Sequence, residues 1–595
     1  MHHFTLRPFI VAISLILLLL PQSASSITPI KREMRGVWIS TVWCLDWPTT
    51  DTGAALLGTS SSVVKRQKDQ LSKIFDRMQA DGFNAMFFQV RPMADALYKS
   101  SWEPVSYYLT GKRGSSLPWD PLEYAVSEAH KRGIELHAWI NPLRYSSSAT
   151  STYSTAWDKE VVSRGWILKT DKGQIFNPGI AEVRDYLVGV CREIISNYDV
   201  DGLVFDDYFY TNPTPEDATA GDYDLWKSSG TSLSLPAWRR NNVNTFIQQV
   251  YDMIQDTKPY VRFGVSPAGV AKGGAKDAGV SAYSATNASD WQYSQIYSDP
   301  LAWLKAGSLD YISPQLYWPT THKTNPFGPL TLWWSRTAAF FNRHHFASHS
   351  ISDLAGSSTT EDFKEIAKQV VYSRNYTRNK APGCVMFREA FISGPKATGL
   401  GDYLKSHLFG SSALLPDMTW KEHDDLGTVT GITKSGTKLS WDASSDNTLR
   451  YTVYAIPEDE TYEDAFRTDG DGISTAYLAG ISYTNSFTLP SDKASGYGYA
   501  VCILDRYGRE YAPQTMGING VNSIAAVKYS FTMQGGRHLH FNAPTRTVSL
   551  YSTSGQLLRR YDGMADIDVL APRGIYLLRA QSEQGEIISA KIVIY

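Results

Sequence analysis

Between residues 33 and 415, short apolar runs alternate with longer segments whose apolar residues recur every three or four positions. The runs read as strands: Arg35–Ser40, Ala85–Val90, Glu135–Ile140, Gly202–Asp207, Arg262–Pro267, Tyr311–Leu316, a weaker His345–Ser350 and Cys384–Glu389. They are short, rich in β-branched and aromatic residues, and bounded by turn formers. Between the first two, Lys65–Ala80 carries Leu71, Ile74, Phe75 and Met78 on one helical face and stops at Gly82. Asp120-Pro121 is an N-cap followed by Pro in the first turn, which opens a helix over 121–132. Further helices are expected over 182–196, 238–257, 299–306, 331–343 and 361–376. Short strands that each precede a helix, eight in all, predict an α/β fold of the (β/α)8 TIM-barrel type with insertions. A doubly wound open sheet is the alternative. It calls for a Gly-rich loop after the first strand, and Ser40-Thr41-Val42-Trp43 contains no glycine.

Past residue 425 the helical period disappears. Thr437–Trp441, Arg450–Ala455 and Tyr497–Ile503 alternate without intervening helices, and turns rich in Gly, Ser and Asp separate them. Residues 425–520 therefore read as a β-sandwich resembling fibronectin type III. Residues 523–595 form a second short β-rich domain, with strands at Thr547–Tyr551, Ile567–Leu570, Gly574–Arg579 and Ile587–Tyr595. At 595 residues the chain exceeds what one core can organise, which suits this division.

The other end is of a different kind. His2, His3 and Arg7 precede an apolar run from Phe9 to Leu20, Pro21 breaks it, and Ala24-Ser25-Ser26 offers small residues for cleavage. Residues 1–26 thus have the make-up of a secretory signal peptide, too short to span a membrane comfortably. An exported protein with no membrane span after signal removal is expected. Cys44, Cys191, Cys384 and Cys502 show no metal-ligand spacing and fall on separate elements, so free, mostly buried thiols are expected. A net charge of −2 gives no field that would attract nucleic acid. The aromatic content of 13%, with 17 Trp and 35 Tyr, leans instead toward a polysaccharide ligand.

In a barrel of this type the chemistry sits where strands end. There the chain offers Ser40, Thr41 and Trp43; Gln89 and Arg91, with Asp95 in the loop; Trp139, Asn141, Arg144 and Tyr145; Asp206, Asp207 and Tyr208; Ser266; Gln315, Tyr317 and Trp318; and Glu389. Asp201-Gly-Leu-Val-Phe-Asp206-Asp207-Tyr208 is the most telling segment, because an apolar strand ends in two carboxylates with aromatics directly behind. Taken alone, such a pair is as readily an N-cap or a structural ion pair. Amid aromatics from other strand ends it suits a sugar, whose ring faces stack and whose acetal carboxyls can cleave. Consecutive strand residues point to opposite sides, so one of the two is expected to face the substrate. Asp207, which begins the loop, is the candidate nucleophile or base. For the proton donor Asp95, Glu103, Glu389 and Asp206 remain open. Trp139 and Trp318 are candidate stacking platforms, Gln89, Arg91, Asn141, Tyr208, Gln315 and Tyr317 candidate substrate contacts, and His137 a core histidine. No metal or organic cofactor is called for.

Several segments together carry a resemblance: Arg35-Gly-Val-Trp38, Gln89-Val-Arg-Pro92 with Asp95-Ala-Leu-Tyr98, His137-Ala-Trp-Ile-Asn-Pro142, Asn177-Pro-Gly179, Asp201–Tyr208, Gly264-Val-Ser-Pro267 and Asp310-Tyr-Ile-Ser-Pro-Gln-Leu-Tyr-Trp318. In this order they resemble the glycosyl-hydrolase-like family ten, which includes a divisome-localised type that cuts peptidoglycan strands lacking stem peptides. The resemblance implies a (β/α)8 barrel, glycan hydrolysis with peptidoglycan as substrate class, and a cleft lined by Asp206, Asp207, Arg91, Asp95, Asn141, Gln315, Tyr317 and Trp318. The chain departs from the family where Val105 follows Pro104 in place of Trp, and where Ala268-Gly-Val270 replaces a Phe-Gly-x-Trp run. The last seventy residues resemble C-terminal sorting domains of the type nine secretion system through Tyr551-Ser-Thr-Ser-Gly-Gln556, Gly574-Ile-Tyr-Leu-Leu578 and Lys591-Ile-Val-Ile594. That implies passage through outer-membrane secretion machinery to the surface, whereas a plain accessory module would leave the enzyme in the periplasm. The competing reading of the whole chain is a glycan-binding scaffold on a barrel that has lost catalysis.

Overall fold

The computed structural model describes residues 30–594, except 212–214, 272–290, 357–358, 379–380, 445, 447, 461–464, 466–471, 518–530 and short gaps at 535, 542–543, 554–555, 564–565 and 584–586. The expected signal peptide at 1–26 lies outside the described residues. The chain divides into two compact units between Asn519 and Gly520.

The first unit contains the barrel. Its strands are β1 (Met34–Ile39), β2 (Ala85–Arg91), β3 (Glu135–Ile140), β4 (Gly202–Phe205), β5 (Arg262–Val265), β6 (Tyr311–Ile312), β7 (His344–His345 and Ala347–Ser350) and β8 (Gly383–Phe387). All neighbours pair in parallel from β1 round to β8, and β8 pairs back onto β1. The ring closes at β7, whose first half bonds β6 and whose second half bonds β8. An open sheet is thereby excluded.

Each strand is followed by a helix: α1 (Ser61–Asp81), α2 (Pro121–His130), α3 (Ala181–Asn197), α4 (Leu235–Thr257), α5 (Pro300–Ala306), α6 (Phe327–Phe340), α7 (Thr360–Tyr376) and α8 (Leu400–His407). Their ends follow local chemistry. Asp120 accepts from Leu122 N and Glu123 N ahead of α2, and Gly82 ends α1 at φ 83°, where only glycine is unstrained. The sixth helix begins four residues before the expected 331, and α8 is not marked by any cap or long period in the sequence.

Alternation along the strands builds the interior. Trp38, Phe87, Trp139, Val204, Tyr311, Phe346 and Val385 form one buried cluster, the filling of the barrel. Inward glycines make room for it. A Cβ on Gly264 would lie 2.1 Å from the Tyr311 ring, and one on Gly202 would lie 2.3 Å from His137 Nδ1. His137 is the expected core histidine, stacked on Phe87 at 4.7 Å with Nδ1 2.8 Å from Tyr311 Oη.

Within the same unit, two further sheets pack face to face. One joins Thr433–Ser435, Lys438–Ser440 and Ser486–Thr488; the other joins Leu478–Ser482, Arg450–Pro457, Tyr497–Leu504 and Gln514–Met516. Trp441, Leu439, Val453 and Val501 share their core. This sandwich docks on the end of the barrel where strands begin. Arg450 pairs with Glu135 at the start of β3, and Arg506 pairs with Asp201, just ahead of β4, at 3.0 Å. Tyr483 stacks flat on His130 at 3.7 Å, and Lys31 bonds Glu510 at 2.6 Å. The mouth, at the other end of the strands, stays clear of it.

The second unit, Gly520–Tyr595, is a two-sheet β structure. Phe531–Gln534, His538–Phe541 and Asp566–Asp568 form one sheet; Leu557–Asp562, Thr545–Tyr551, Gly574–Ser582 and Ile587–Ile594 form the other. Leu539, Phe541, Val548, Leu578 and Ile592 make its core. Cys44, Cys191, Cys384 and Cys502 are free and buried. No helix of the described residues is long and apolar enough to cross a membrane.

Candidate active site

Two positions beyond the filling, on the same inward face, five of the strands present a small or polar residue. Ser40 follows Trp38, Gln89 follows Phe87, Asn141 follows Trp139, Asp206 follows Val204 and Ser266 follows Gly264, all buried. Asp206 therefore continues the inward face of β4. By register it lies between Asn141 of the β3 end and Ser266 of the β5 end. The acid pair straddles this rim.

Asp206 is 4% exposed; its Oδ2 accepts from Trp139 Nε1 at 3.2 Å and its Oδ1 from Tyr208 N at 3.1 Å. Burial, then the neighbouring charge of Asp207, push its carboxyl up to about 8, against the pull of Arg144. Asp207 is half-buried; burial raises it too, while a hydrogen bond from Gln315 and the charge of Arg144 favour its ionised form. Burial and mutual repulsion thus favour a shared proton on the pair, with Asp206 the more strongly raised partner.

The aromatic surround is specific. Tyr208 is exposed, and the Arg144 guanidinium stacks 3.3 Å over its ring. Gln315 Nε2 also donates to Ser266 O at 3.1 Å. Half-buried Tyr317 stacks on Phe387 at 5.6 Å; burial first, then Asp207, keeps its hydroxyl well above the ordinary range. Trp318 is half-buried and rests over Gly269, where a Cβ would come within 2.6 Å of its ring. In the β1 loop Trp43 is 55% exposed and held at φ 54°, a left-handed backbone uncommon for a bulky residue.

Three expected contacts sit elsewhere. Trp139 is 5% exposed and belongs to the barrel filling, so it is no platform; only its indole N–H reaches the site. Arg91 is fully buried. The β2–β3 ladder slips one residue between Gln89 and Arg91, which puts Arg91 in register with outward Ile140. Its donors go to Glu103 Oε1 and Oε2 at 2.6 and 2.7 Å and to Asn141 O at 2.7 Å. Glu103 is thereby a structural partner. Asp95 is buried, bonded by Met93 N at 3.1 Å and paired with Arg113 at 3.3 Å; its place is in the fold of the β2 loop.

Gln89 is buried and positions others: its Oε1 accepts from Thr41 N and Val42 N, both at 2.9 Å, and its Nε2 donates to Asn141 Oδ1 at 2.9 Å. Glu389 is buried, bonded by Ser393, and raised to about 8 by burial and then by Asp46. Asp46 accepts from Arg388 Nη1 and from Ala390 N at 2.8 Å, clasping the loops after β1 and β8.

The model of the family described as glycosyl hydrolase-like 10 matches residues 33–346. The chain belongs to that family. It is 32% identical to glycosyl hydrolase YngK of Bacillus subtilis over 397 residues, 66% of this chain and 75% of that protein. It is 34% identical to glycosyl hydrolase DigH of Escherichia coli K12 over 392 residues, 63% of this chain and 87% of that protein. Among solved structures it is similar to the glycoside hydrolase domain of PgaB from Bordetella bronchiseptica, at 11% identity and a TM-score of 0.41, covering 63% of this chain and 98% of that one. The family member described here is a barrel of glycoside hydrolase type.

Proposed function

We propose that this chain is an exported glycoside hydrolase that cleaves glycosidic bonds in a polysaccharide, with peptidoglycan glycan strands as the substrate. The observation that carries the reading is the adjacent Asp206–Asp207 pair on the rim of the mouth, where burial and then Asp207 push the Asp206 carboxyl up to about 8 while Gln315 and Arg144 favour the ionised form of Asp207. Asp206 donates its proton to the leaving oxygen, and Asp207 supplies the charge that an oxocarbenium-like transition state attracts. Tyr208, Tyr317, Trp318 and Trp43 offer faces for sugar rings, and Gln315 and Arg144 favour the ionised form of Asp207 against its burial. The composition of residues 1–26 supports export, to the periplasm or the cell surface. The C-terminal unit then serves either as a sorting module for outer-membrane secretion machinery or as an accessory module.

Purified glycan strands lacking stem peptides test this. New reducing ends are expected with the native chain, and Asp206→Asn and Asp207→Asn are each expected to lower kcat by ~10²-fold or more. Activity surviving both single substitutions sinks the assignment. One observation favours the scaffold reading: Asp95, Glu103 and Asp46 are held by arginines. Strands that bind the folded protein and stay uncut support it.

A further inference from the structure

We infer that the nucleophile of this site is the substrate's own 2-acetamido group, held by Asp207 while Asp206 moves the proton, so that the barrel cleaves only glycosides of N-acylated amino sugars. The inference rests on the hydrolase reading above. Two-carboxyl hydrolysis needs its groups on opposite sides of the glycosidic bond, about 5 Å apart for retention or about 6.5–9.5 Å for inversion. Asp206 and Asp207 are consecutive and leave from a single strand end. Across the mouth, Asp46 is bound by Arg388, Asp95 by Arg113 and Glu103 by Arg91, while Glu389 is wholly buried beside Asp46. Asp353, exposed, bonded by Ser350 Oγ at 2.7 Å and near enough to Tyr317 to act on its hydroxyl, is the rival carboxyl.

The rim is furnished for an amide instead. Asn141 Nδ2 and Ser266 Oγ flank Asp206, are buried, and have no hydrogen-bond partner among the described residues. Unpartnered buried donors are rare unless a ligand completes them. Either can donate to an acetamido carbonyl, ionised Asp207 can accept its N–H, and the stacked Tyr317–Phe387 pair offers an apolar face to its methyl group. The steps balance. The carbonyl oxygen bonds to C1 as the C1–O glycosidic bond breaks and Asp206 gives its proton to the leaving oxygen. The resulting oxazolinium keeps its N–H on Asp207, whose negative charge offsets the positive one. Water then attacks C1, its proton returns to Asp206, the C1–O bond of the ring breaks, and the amide is restored. One water is consumed and the configuration at C1 is retained.

The test gives the full chain glycan strands either fully N-acetylated or chemically de-N-acetylated, together with aryl glycosides of the amino sugar carrying acetyl, fluoroacetyl or trifluoroacetyl groups. Expected are cleavage of the acetylated strands alone, first-formed product of retained configuration, and a fall in kcat/KM on the order of 100-fold from acetyl to trifluoroacetyl, as the carbonyl loses nucleophilicity. Asp353→Asn is expected to keep activity. Equal cleavage of both strands, an inverted product, rates indifferent to fluorine, or loss of activity in Asp353→Asn overturns the inference but leaves the hydrolase reading standing. No cleavage of acetylated strands by folded protein overturns both.

Discussion

Replacing Trp139 with Phe removes one hydrogen bond to Asp206 and leaves every carboxyl in place. The indole N–H donates to Asp206 Oδ2 at 3.2 Å, a bond that favours the ionised carboxylate. Hydrogen bonds to charged groups are worth about 1.5–3 kcal/mol, and one pKa unit is about 1.4 kcal/mol. At this length the lower figure applies, so Trp139→Phe is expected to raise the Asp206 carboxyl by about one unit. In the native chain Asp206 sits at about 8, so as a proton donor it loses activity as pH rises through that value. The variant keeps its donor protonated further into alkali, and the alkaline limb of kcat/KM moves up by about one pH unit. The assay is the rate of new reducing ends from denuded glycan strands between pH 5 and pH 10. Near-ultraviolet circular dichroism checks that the barrel filling tolerates the smaller ring. A limb that stays put, or moves toward acid, in a folded variant refutes the assignment of Asp206 as the proton donor.

Other expectations are independent of that assignment. Arg91→Ala breaks a buried bidentate pair with Glu103 and is expected to cost about 3–5 kcal/mol, read as a lowered unfolding midpoint in denaturant; an unchanged midpoint would return Arg91 to the surface of the cleft. Trp43→Ala removes a ring that is 55% exposed, so KM is expected to rise with the melting temperature unmoved. Glu135 is held down at about 2 by Arg262 and Arg450 in spite of its burial. A depressed carboxyl contributes stability above its unfolded pKa of 4.5 and loses it as pH falls toward 2. The difference is about 3 kcal/mol, and Glu135→Gln is expected to flatten the fall in melting temperature over that window; an equally steep fall would place the acid sensitivity elsewhere.

The barrel was legible because its strands are unbroken apolar runs, and each begins or ends within a few residues of the expected place. The helix Leu400–His407 was not, since it spans barely two turns and opens after Gly399 in a left-handed conformation. The rim was legible as a set of residue types but not as a set of roles. Arg91 stands two positions past inward Gln89, which suggests an inward side chain; a one-residue slip in the ladder turns it outward, and no local residue type announces that slip. Trp139 could be read as platform or filling, and only its neighbours Trp38, Phe87 and Val204 decide. The clasp of Asp46 with Arg388 spans 342 positions, beyond the reach of any local pattern. Arg144 was visible at a strand end, yet its stack on Tyr208 depends on a loop the sequence does not shape in any evident way. The division of labour between Asp206 and Asp207 rests on depth of burial, which raises Asp206 against the pull of the Trp139 indole and which no local pattern announces.

The docking of the sandwich on the strand-start end has a bearing on what can be called a domain in this chain. Glu135 and Asp201 lie on the barrel side of that seam, Arg450 and Arg506 on the other, and all four are buried. Cutting between them would hand each fragment bare charges in a surface shaped to exclude water. The smallest stretch of gene that can encode this barrel without bare buried charges is then the barrel with its sandwich, and shuffling the sandwich onto another barrel would require transplanting both halves of the seam.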